Sequence, residues 1–480
     1  MADRPNFLVF MSDEHAPDCL GAYGHPVIST PVLDRLSSES VSFANAYCAY
    51  PMCTPARMSF MTGHYTPQHG VWELGDPLSP SMPAWTHALR IAGYDTALAG
   101  RMHFIGAEQL HGFARRLYPD VPEYATYPPA YSYGRWDGDD RRQQMLQPVL
   151  AAGAADEETT YQQYDRAVCD AAVLELRAIA SRETEQPWAL MIGLIHPHFP
   201  FQVSRPYYDL YGDAEIPLPA IPPDSRGFED CLPEMMHGIR NWAGLSSDGL
   251  SDTQVCEARR CYYGMISFMD EQIGRVLDAF AEMGLDEETY VVYLSDHGES
   301  LGEHGLWSKT TFYEDSVRVP WMIRCPDRHG AGSACAAPVS HIDWLPTLLE
   351  LADQEPWFEA LPGRSLLPLL DNPAATWPER AVISDYGCVG VSAPVRMVRR
   401  DRWKACFGDN VPPVLYDLHA DPREWDNRAS DADLQPLLRE LEAVAREDGW
   451  DPAILRVEVL RHQRRLRYIA NAHDPSHSGW

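Results

Sequence analysis

The chain has 480 residues, 45% of them hydrophobic and 22% charged, and 39 Lys and Arg face 69 Asp and Glu for a formal net charge of −30. That is globular composition with ample material for a large core. So acidic a surface argues against nucleic acid or an anionic membrane as partner, and an anionic substrate would need a locally positive site.

In chain order, Met1 to Asn6 is short and polar, with no long apolar region behind it, so no signal peptide is expected. Asn6 to Met11 reads as a buried strand that ends in Ser12-Asp13-Glu14. Gln109 to Gln162, rich in Tyr, Pro and Asp, is expected to loop over the site. Tyr164 to Ser181 reads as a helix, and Trp188 to Ile195 as an apolar strand ending in His196-Pro197-His198. Val255 to Gly284 is a second helical pattern, and Tyr290 to Leu294 a third apolar strand, ending in Ser295-Asp296-His297-Gly298. Continuous apolar strands belong to sheets covered on both faces, and their alternation with helices makes the class α/β with a mostly parallel sheet. Ligands of such sheets lie beyond the carboxyl ends of the strands, where all three runs deliver polar groups.

After about Leu370 the character changes. Ala381 to Ser384, Val395 to Val398, Trp403 to Phe407 and Val414 to Leu418 are short strand-like runs between turn signals, which suggest a small antiparallel sheet. Leu434 to Glu447 and the Arg-rich Ile454 to Ala470 read as helices. The expected division is residues 1–370 and 371–480. No apolar stretch approaches the ~20 residues that a membrane helix needs. The 11 cysteines are scattered and odd in number, with no C-x-x-C pair, which suits reduced thiols in a cytoplasmic protein.

Asp13 and the pair Asp296-His297 bring hard oxygens and one imidazole to two strand ends. That set suits a divalent cation, calcium, manganese or magnesium, which would polarise a substrate's oxygens and lower the pKa of a bound hydroxyl. Between them stands Cys53-Thr54-Pro55-Ala56-Arg57, continued to Thr62-Gly63, with Arg57 one helical turn from Cys53 on the same face.

This Cys-x-Pro-x-Arg element and its Thr-Gly turn resemble the signature of the formylglycine-dependent sulfatases of the alkaline phosphatase superfamily. The resemblance implies a large mixed sheet between helices and oxidation of Cys53 to formylglycine by a formylglycine-generating enzyme, a transient partner. It implies one divalent cation held by Asp13, Asp296, His297 and residue 53, with Glu14 as a weaker fourth protein ligand, and Arg57 bonded to the aldehyde hydrate. Gly100-Arg101-Met102-His103 is similar to the family's Gly-Lys-x-His element. Arg101 would then contact diol and sulfate, keeping the lysine's charge but not its geometry, and His103 would be the base that collapses the sulfated diol. His196-Pro197-His198-Phe199-Pro200 is similar to the Pro-His-x-Pro element, which makes His198 the proton donor to the leaving group and leaves His196 a supporting or packed residue. Lys309 corresponds to the lysine that holds the sulfuryl oxygens.

The likeness runs from Asn6 through Pro320 and resumes at Tyr416 to Glu424. Within the family it looks closest to the choline-sulfatase and phosphonate monoester hydrolase branch. Its Arg-rich tail, Val457 to Ile469, resembles the choline-sulfatase tail and implies a homo-oligomer. Trp72 and Trp307 are aromatic candidates for a cationic substrate only by proximity, and packing is the plainer reading. The expected reaction is hydrolysis of a small-molecule sulfate monoester. The competing readings are hydrolysis of phosphonate monoesters or phosphodiesters at the same site, and a binding protein without turnover.

Overall fold

The structure is a computed structural model that describes residues 4–121, 141–221, 249–356, 360–375, 377, 380–387, 391 and 393–472. Its main sheet contains β1 (Asn6–Ser12), β2 (Val41–Phe43), β4 (Asp95–Gly100), β5 (Arg115–Tyr118), β7 (Trp188–Gly193), β9 (Thr289–Ser295), β11 (Trp321–Arg324) and β12 (Ser333–Cys335). Their order is β12-β2-β11-β9-β1-β7-β4-β5. From β9 to β5 the neighbours run parallel, whereas β11 is antiparallel to both β9 and β2. Two smaller sheets flank it: β3 (Ala46–Tyr47) with β10 (Arg318–Val319) and β13 (Val339–Ser340), and β6 (Gly153–Ala155) with β8 (Gln202–Ser204).

The central strands are apolar along their length because both faces are covered. Phe7, Val9 and Met11 of β1 enter one core and Leu8 and Phe10 the other, and β9 divides the same way, Val292 and Leu294 against Val291 and Tyr293. One core is filled by α1 (Cys53–Thr62), through Met58, Phe60 and Met61. The other is filled by α2 (Thr160–Ala180) and α3 (Asp252–Glu282). Helix α2 starts four residues before its apolar periodicity predicts, because Thr159 and Gln162 close a capping box at its N-terminus.

The expected loop from Gln109 to Gln162 is corrected in part. Residues 122–140 lie outside the described residues, but the rest holds β5, a helix Arg141–Leu150 and β6. β5 escaped notice because its Arg115 and Arg116 are polar. Arg115 pairs with Asp95 and Glu175, and Arg116 donates 2.6 Å to the Gly100 carbonyl.

The four C-terminal runs form an antiparallel sheet in sequence order, β14 (Val382–Tyr386), β15 (Val395–Arg400), β16 (Trp403–Gly408) and β17 (Val414–Asp417). One face, with Met397, Cys406 and Tyr416, joins the same core as β1. The other, with Val398, Ala405 and Leu415, packs on Leu438 and Leu441 of α4 (Gln435–Ala445). The last described helix is α5 (Pro452–Ala472). Among the described residues no helix is long and apolar enough to cross a membrane.

Candidate active site

Four adjacent parallel strands, β9, β1, β7 and β4, release their chains at the same edge of the sheet. β1 ends in Asp13 and Glu14, β9 in Asp296 and His297, and the two ends are stitched together. The Asp296 N–H donates to the Ser12 carbonyl (3.2 Å) and the Glu14 N–H to Asp296 Oδ1 (3.1 Å). Glu14 adopts a left-handed backbone, φ 69°, an uncommon conformation for a side chain of its size, and its carbonyl accepts the Tyr262 hydroxyl at 2.6 Å. Cys53 enters as the first residue of α1. Its Sγ stands 3.4 Å from Asp13 Oδ1, 3.1 Å from His297 Nε2 and 3.2 Å from Lys309 Nζ.

One ligand atom each from Asp13, Cys53, Asp296 and His297, all buried, lie within 4.8 Å of one another. His297 Nδ1 donates to the Gly298 carbonyl (2.9 Å), which leaves Nε2 as the nitrogen turned to the other three. Two carboxylates and a bare imidazole nitrogen turned toward one point fit a divalent cation. Glu14 stands outside this foursome. It belongs to a second buried trio with Asp13 and His198, and its carboxylate accepts from Lys309 Nζ and Ser308 Oγ, both at 3.1 Å.

Positive charge balances the carboxylates. Arg57, expected at the nucleophile's hydroxyls, instead spans the metal-facing carboxylates from behind. Its Nε donates to Asp296 Oδ2 (2.8 Å), Nη2 to Asp13 Oδ2 (3.1 Å) and Nη1 to the Arg101 carbonyl (2.9 Å). A planar fork with donors on two edges matches two carboxylates better than one small diol. Arg101 pairs with Asp13, lies 3.6 Å from Asp120 and donates to His103 Nδ1 at 3.1 Å. It can turn in so tightly because residue 193 is glycine: a Cβ there would meet the Arg101 carbonyl oxygen at 1.7 Å. Lys309 reaches the sulfur itself. Burial opposes its ammonium, but Cys53, Glu14 and Asp13 together raise its pKa. Burial likewise opposes the Asp13 carboxylate, which Arg101 and Arg57 nevertheless hold well below the ordinary range. Burial and then Asp13 push the Cys53 thiol up to about 12.

His103 and His198 are both neutral rings here. Burial, then Arg101 for the first and Lys309 for the second, holds each well below the usual imidazole pKa. His198 Nδ1 donates to the Phe199 carbonyl (2.6 Å), and its Nε2 faces Glu14 Oε2 at 3.4 Å. Since the Arg101 guanidinium can only donate, the His103 lone pair sits on Nδ1. Trp72 and Trp307 are packed. Trp307 is 2% exposed against Phe201, and Trp72 is 6% exposed, its backbone N–H donating to Asp76 Oδ2 at 2.9 Å.

Three residues that hold this arrangement were missed in the sequence. Asp120 accepts the N–H groups of Met102 and His103, and nothing in its polar surroundings marks it. Glu299 accepts from Leu301 N–H (3.0 Å) and Ser308 N–H (2.5 Å), shaping the loop that carries Lys309. Its place two residues after His297 was the available signal. Asp165 binds the turn that carries His198.

A mixed sheet with carboxylates, imidazole and a buried cysteine at the ends of its parallel strands is the architecture of an alkaline phosphatase-like hydrolase. The family described as Sulfatase matches residues 5–354, and the chain belongs to the sulfatase family, a group of sulfuric ester hydrolases. A second family, N-sulphoglucosamine sulphohydrolase, C-terminal, matches residues 302–447. The chain is 33% identical to the choline-sulfatase of Rhizobium meliloti, over 89% of this chain and 82% of that protein. It is 29% identical to a multifunctional alkaline phosphatase superfamily protein of Trinickia caryophylli, over 91% and 93% of the two chains. The solved phosphonate monoester hydrolase of Silicibacter pomeroyi superposes with a TM-score of 0.75 at 25% identity, covering 96% of each chain.

Proposed function

We propose that this chain hydrolyses a small-molecule sulfate monoester, R–O–SO₃⁻ and water giving R–OH and hydrogen sulfate, at residue 53 after its oxidation to formylglycine. The observation that carries the reading is the placement of Cys53 Sγ, 3.1–3.4 Å from Asp13, His297 and Lys309, in a foursome of donors suited to one divalent cation. A thiol pushed up to about 12 among carboxylates is a poor thiolate nucleophile, which favours a converted side chain. A hydrated aldehyde at this position supplies two hydroxyls, one to attack sulfur and one whose deprotonation releases sulfate. A cation held by Asp13, Asp296, His297 and residue 53 supplies charge that polarises the sulfuryl oxygens, and calcium, manganese and magnesium all suit the donors.

The chain's own residues do the rest. Lys309 holds the sulfuryl oxygens beside residue 53, and Glu14 and Ser308 fix its reach. Arg57 and Arg101 keep the Asp13 and Asp296 carboxylates oriented, and they hold Asp13 ionised. His198 must first take up a proton at Nε2, the nitrogen that faces Glu14 Oε2 at 3.4 Å, and then delivers it to the departing alcohol, its Nδ1–H being tied to Phe199. His103, neutral, can accept the proton whose loss releases sulfate only at Nδ1, where its lone pair must first give up the N–H bond from Arg101. Mass spectrometry of the tryptic peptide Leu36 to Arg57, run with rates on 4-nitrophenyl sulfate and metal analysis, tests the reading. Active protein should show the aldehyde mass, and a fully active preparation with unmodified cysteine would end it.

The likeness to a phosphonate monoester hydrolase favours one second reading, the same machinery acting on phosphonate monoesters or phosphodiesters. Sulfate and phosphorus esters share shape and differ in charge, so relative kcat/KM on 4-nitrophenyl sulfate and a phenylphosphonate ester separates them. We take residues 1–370 as catalytic and 371–480 as a C-terminal subdomain, supported by the separate antiparallel sheet. A formylglycine-generating enzyme is the transient partner that the oxidation requires. The nine free cysteines among the described residues support a reducing, cytoplasmic setting. Exposed Ile454, Val457 and Tyr468 on α5 support a homo-oligomer.

A further inference from the structure

His196 lies in the same short element as His198, yet the chemistry above gives it no part. Its ring is fully buried against Phe268, and its Nδ1 lies 2.7 Å from Asp165 Oδ2. Asp165, on α2 and equally buried, takes more than the ring. Its Oδ2 also accepts the His196 N–H (3.0 Å), and its Oδ1 accepts the Ile195 N–H (2.8 Å). One carboxylate thus gathers three donors from the first residues beyond β7.

Those residues touch the reaction site on two sides. The Ile195 carbonyl accepts the His198 N–H (2.9 Å), and the His196 carbonyl accepts the Asp13 N–H (3.3 Å). A rigid turn matters here because a proton donor displaced by about 1 Å loses on the order of 100-fold in rate. A buried carboxylate is a costly way to brace a turn, but three N–H donors satisfy its charge and fix the turn in one orientation.

We infer that Asp165 is a positioning residue of the reaction: through His196 and the Ile195 and His196 amides it holds His198 in line with the leaving group. The inference rests on the reading of His198 as the leaving-group acid. Asp165 touches no reacting atom. In Asp165→Asn the side chain keeps its shape, but its NH₂ must face one of the three donors, so at least one bond is lost whichever way the amide turns.

The test is a comparison of two aryl sulfates, phenyl sulfate and 4-nitrophenyl sulfate, on the same enzyme preparation. Phenol is the weaker acid, so its release depends far more on a donated proton. The ratio of the two rates is independent of how much protein is folded or carries the aldehyde, so a merely structural role cannot move it. With Asp165→Asn, the loss in kcat should be about tenfold or more greater on phenyl sulfate than on 4-nitrophenyl sulfate, a part of the 10²–10⁴-fold that general acid catalysis contributes, since the donor is misplaced and not removed. His198→Ala should show the same leaning more strongly, and adding Asp165→Asn to it should change the ratio no further. If Asp165→Asn does not fold, His196→Phe keeps the ring volume, removes the Nδ1 donor and carries the same comparison. A leaning in His198→Ala that is absent from Asp165→Asn and His196→Phe overturns the inference alone. No leaning in His198→Ala overturns the acid role itself, and this inference with it.

Discussion

Two regions of the molecule bury charge, and they do it differently. In the C-terminal sheet, Lys404 Nζ lies 2.9 Å from Glu314 Oε1 and 2.6 Å from Glu424 Oε1, and Arg396 bonds Asp385 (2.6 Å) and Asp448 (2.7 Å). Cations there stand between carboxylates, and the charges close on one another. At the ends of β1 and β9 the carboxylates have cationic partners too, in Arg57, Arg101 and Lys309, but those partners approach from behind and beside. Ligand atoms of Asp13, Asp296, His297 and Cys53 remain turned toward one another, and none of the C-terminal carboxylates joins such a group among the described residues. Burial of charge is therefore common to both regions. Convergence of lone pairs on one point separates a reaction site from a structural clamp.

The largest effect expected from this contrast is at residue 53. Cys53→Ala should lower kcat on 4-nitrophenyl sulfate by at least about 10⁴-fold, the order lost when a covalent nucleophile is removed, while the urea midpoint stays near wild type. Retained turnover would place the chemistry elsewhere and break the contrast at once. Lys404→Met tests the other region. It takes the cation from buried Glu424 and leaves Glu314 with Arg318 and the Tyr47 hydroxyl, and it should cost about 3–5 kcal/mol in urea unfolding. A loss under ~1 kcal/mol would mean that the clamp is not holding charge as described. Smaller again, Lys309→Ala should cost about 10²–10³-fold in kcat, typical of removing one fixed stabiliser of transition-state charge. Lys404→Met protein that remains folded should lose far less rate than that, since its charges face each other and not the substrate.

The contrast also explains what could be read without coordinates. The strands β1, β7 and β9 were legible because burial on both faces leaves an unbroken apolar run, and their polar ends marked Asp13, His198 and Asp296 directly. The C-terminal sheet was legible from four short runs between turns. Arg57 was placed on the correct face of α1 by helical spacing, but its partners were not, because spacing fixes a direction and not which carboxylate waits there. β5 and the start of α2 were lost to polar residues whose partners, Asp95, Glu175 and the Thr159–Gln162 box, are visible only in three dimensions or at a cap. Asp120 and Asp165 were illegible for the same reason. Each does its work on backbone N–H groups far along the chain, and an isolated aspartate in sequence carries no sign of that.

The smallest expected effect separates the regions by their response to acid. His341 is fully buried beneath the site, donating from Nε2 to the Ser295 carbonyl at 3.0 Å, one residue before Asp296. Burial, helped by His297 and Arg57 and opposed by the Ser295 bond, lowers its pKa to about 3. In the unfolded chain it takes a proton near pH 6.5, so the unfolded state binds more protons below that pH. Stability from this group is therefore fully present above about 6.5 and is lost as pH falls toward 3. Between pH 7.5 and pH 5.5 that amounts to about 1.4 kcal/mol, one pH unit's worth of linkage. Glu424, in the clamp, has the opposite sign. Burial, offset by Lys404 and reinforced by Glu314, raises its carboxyl to about 7, so between about 7 and 4.5 the folded state binds more protons and stability grows as pH falls. Urea unfolding at the two pH values should thus show His341→Gln reducing the acid-induced loss and Glu424→Gln enlarging it. If both variants shift the pH dependence in the same direction, the two regions do not hold their charges in the opposed ways argued here.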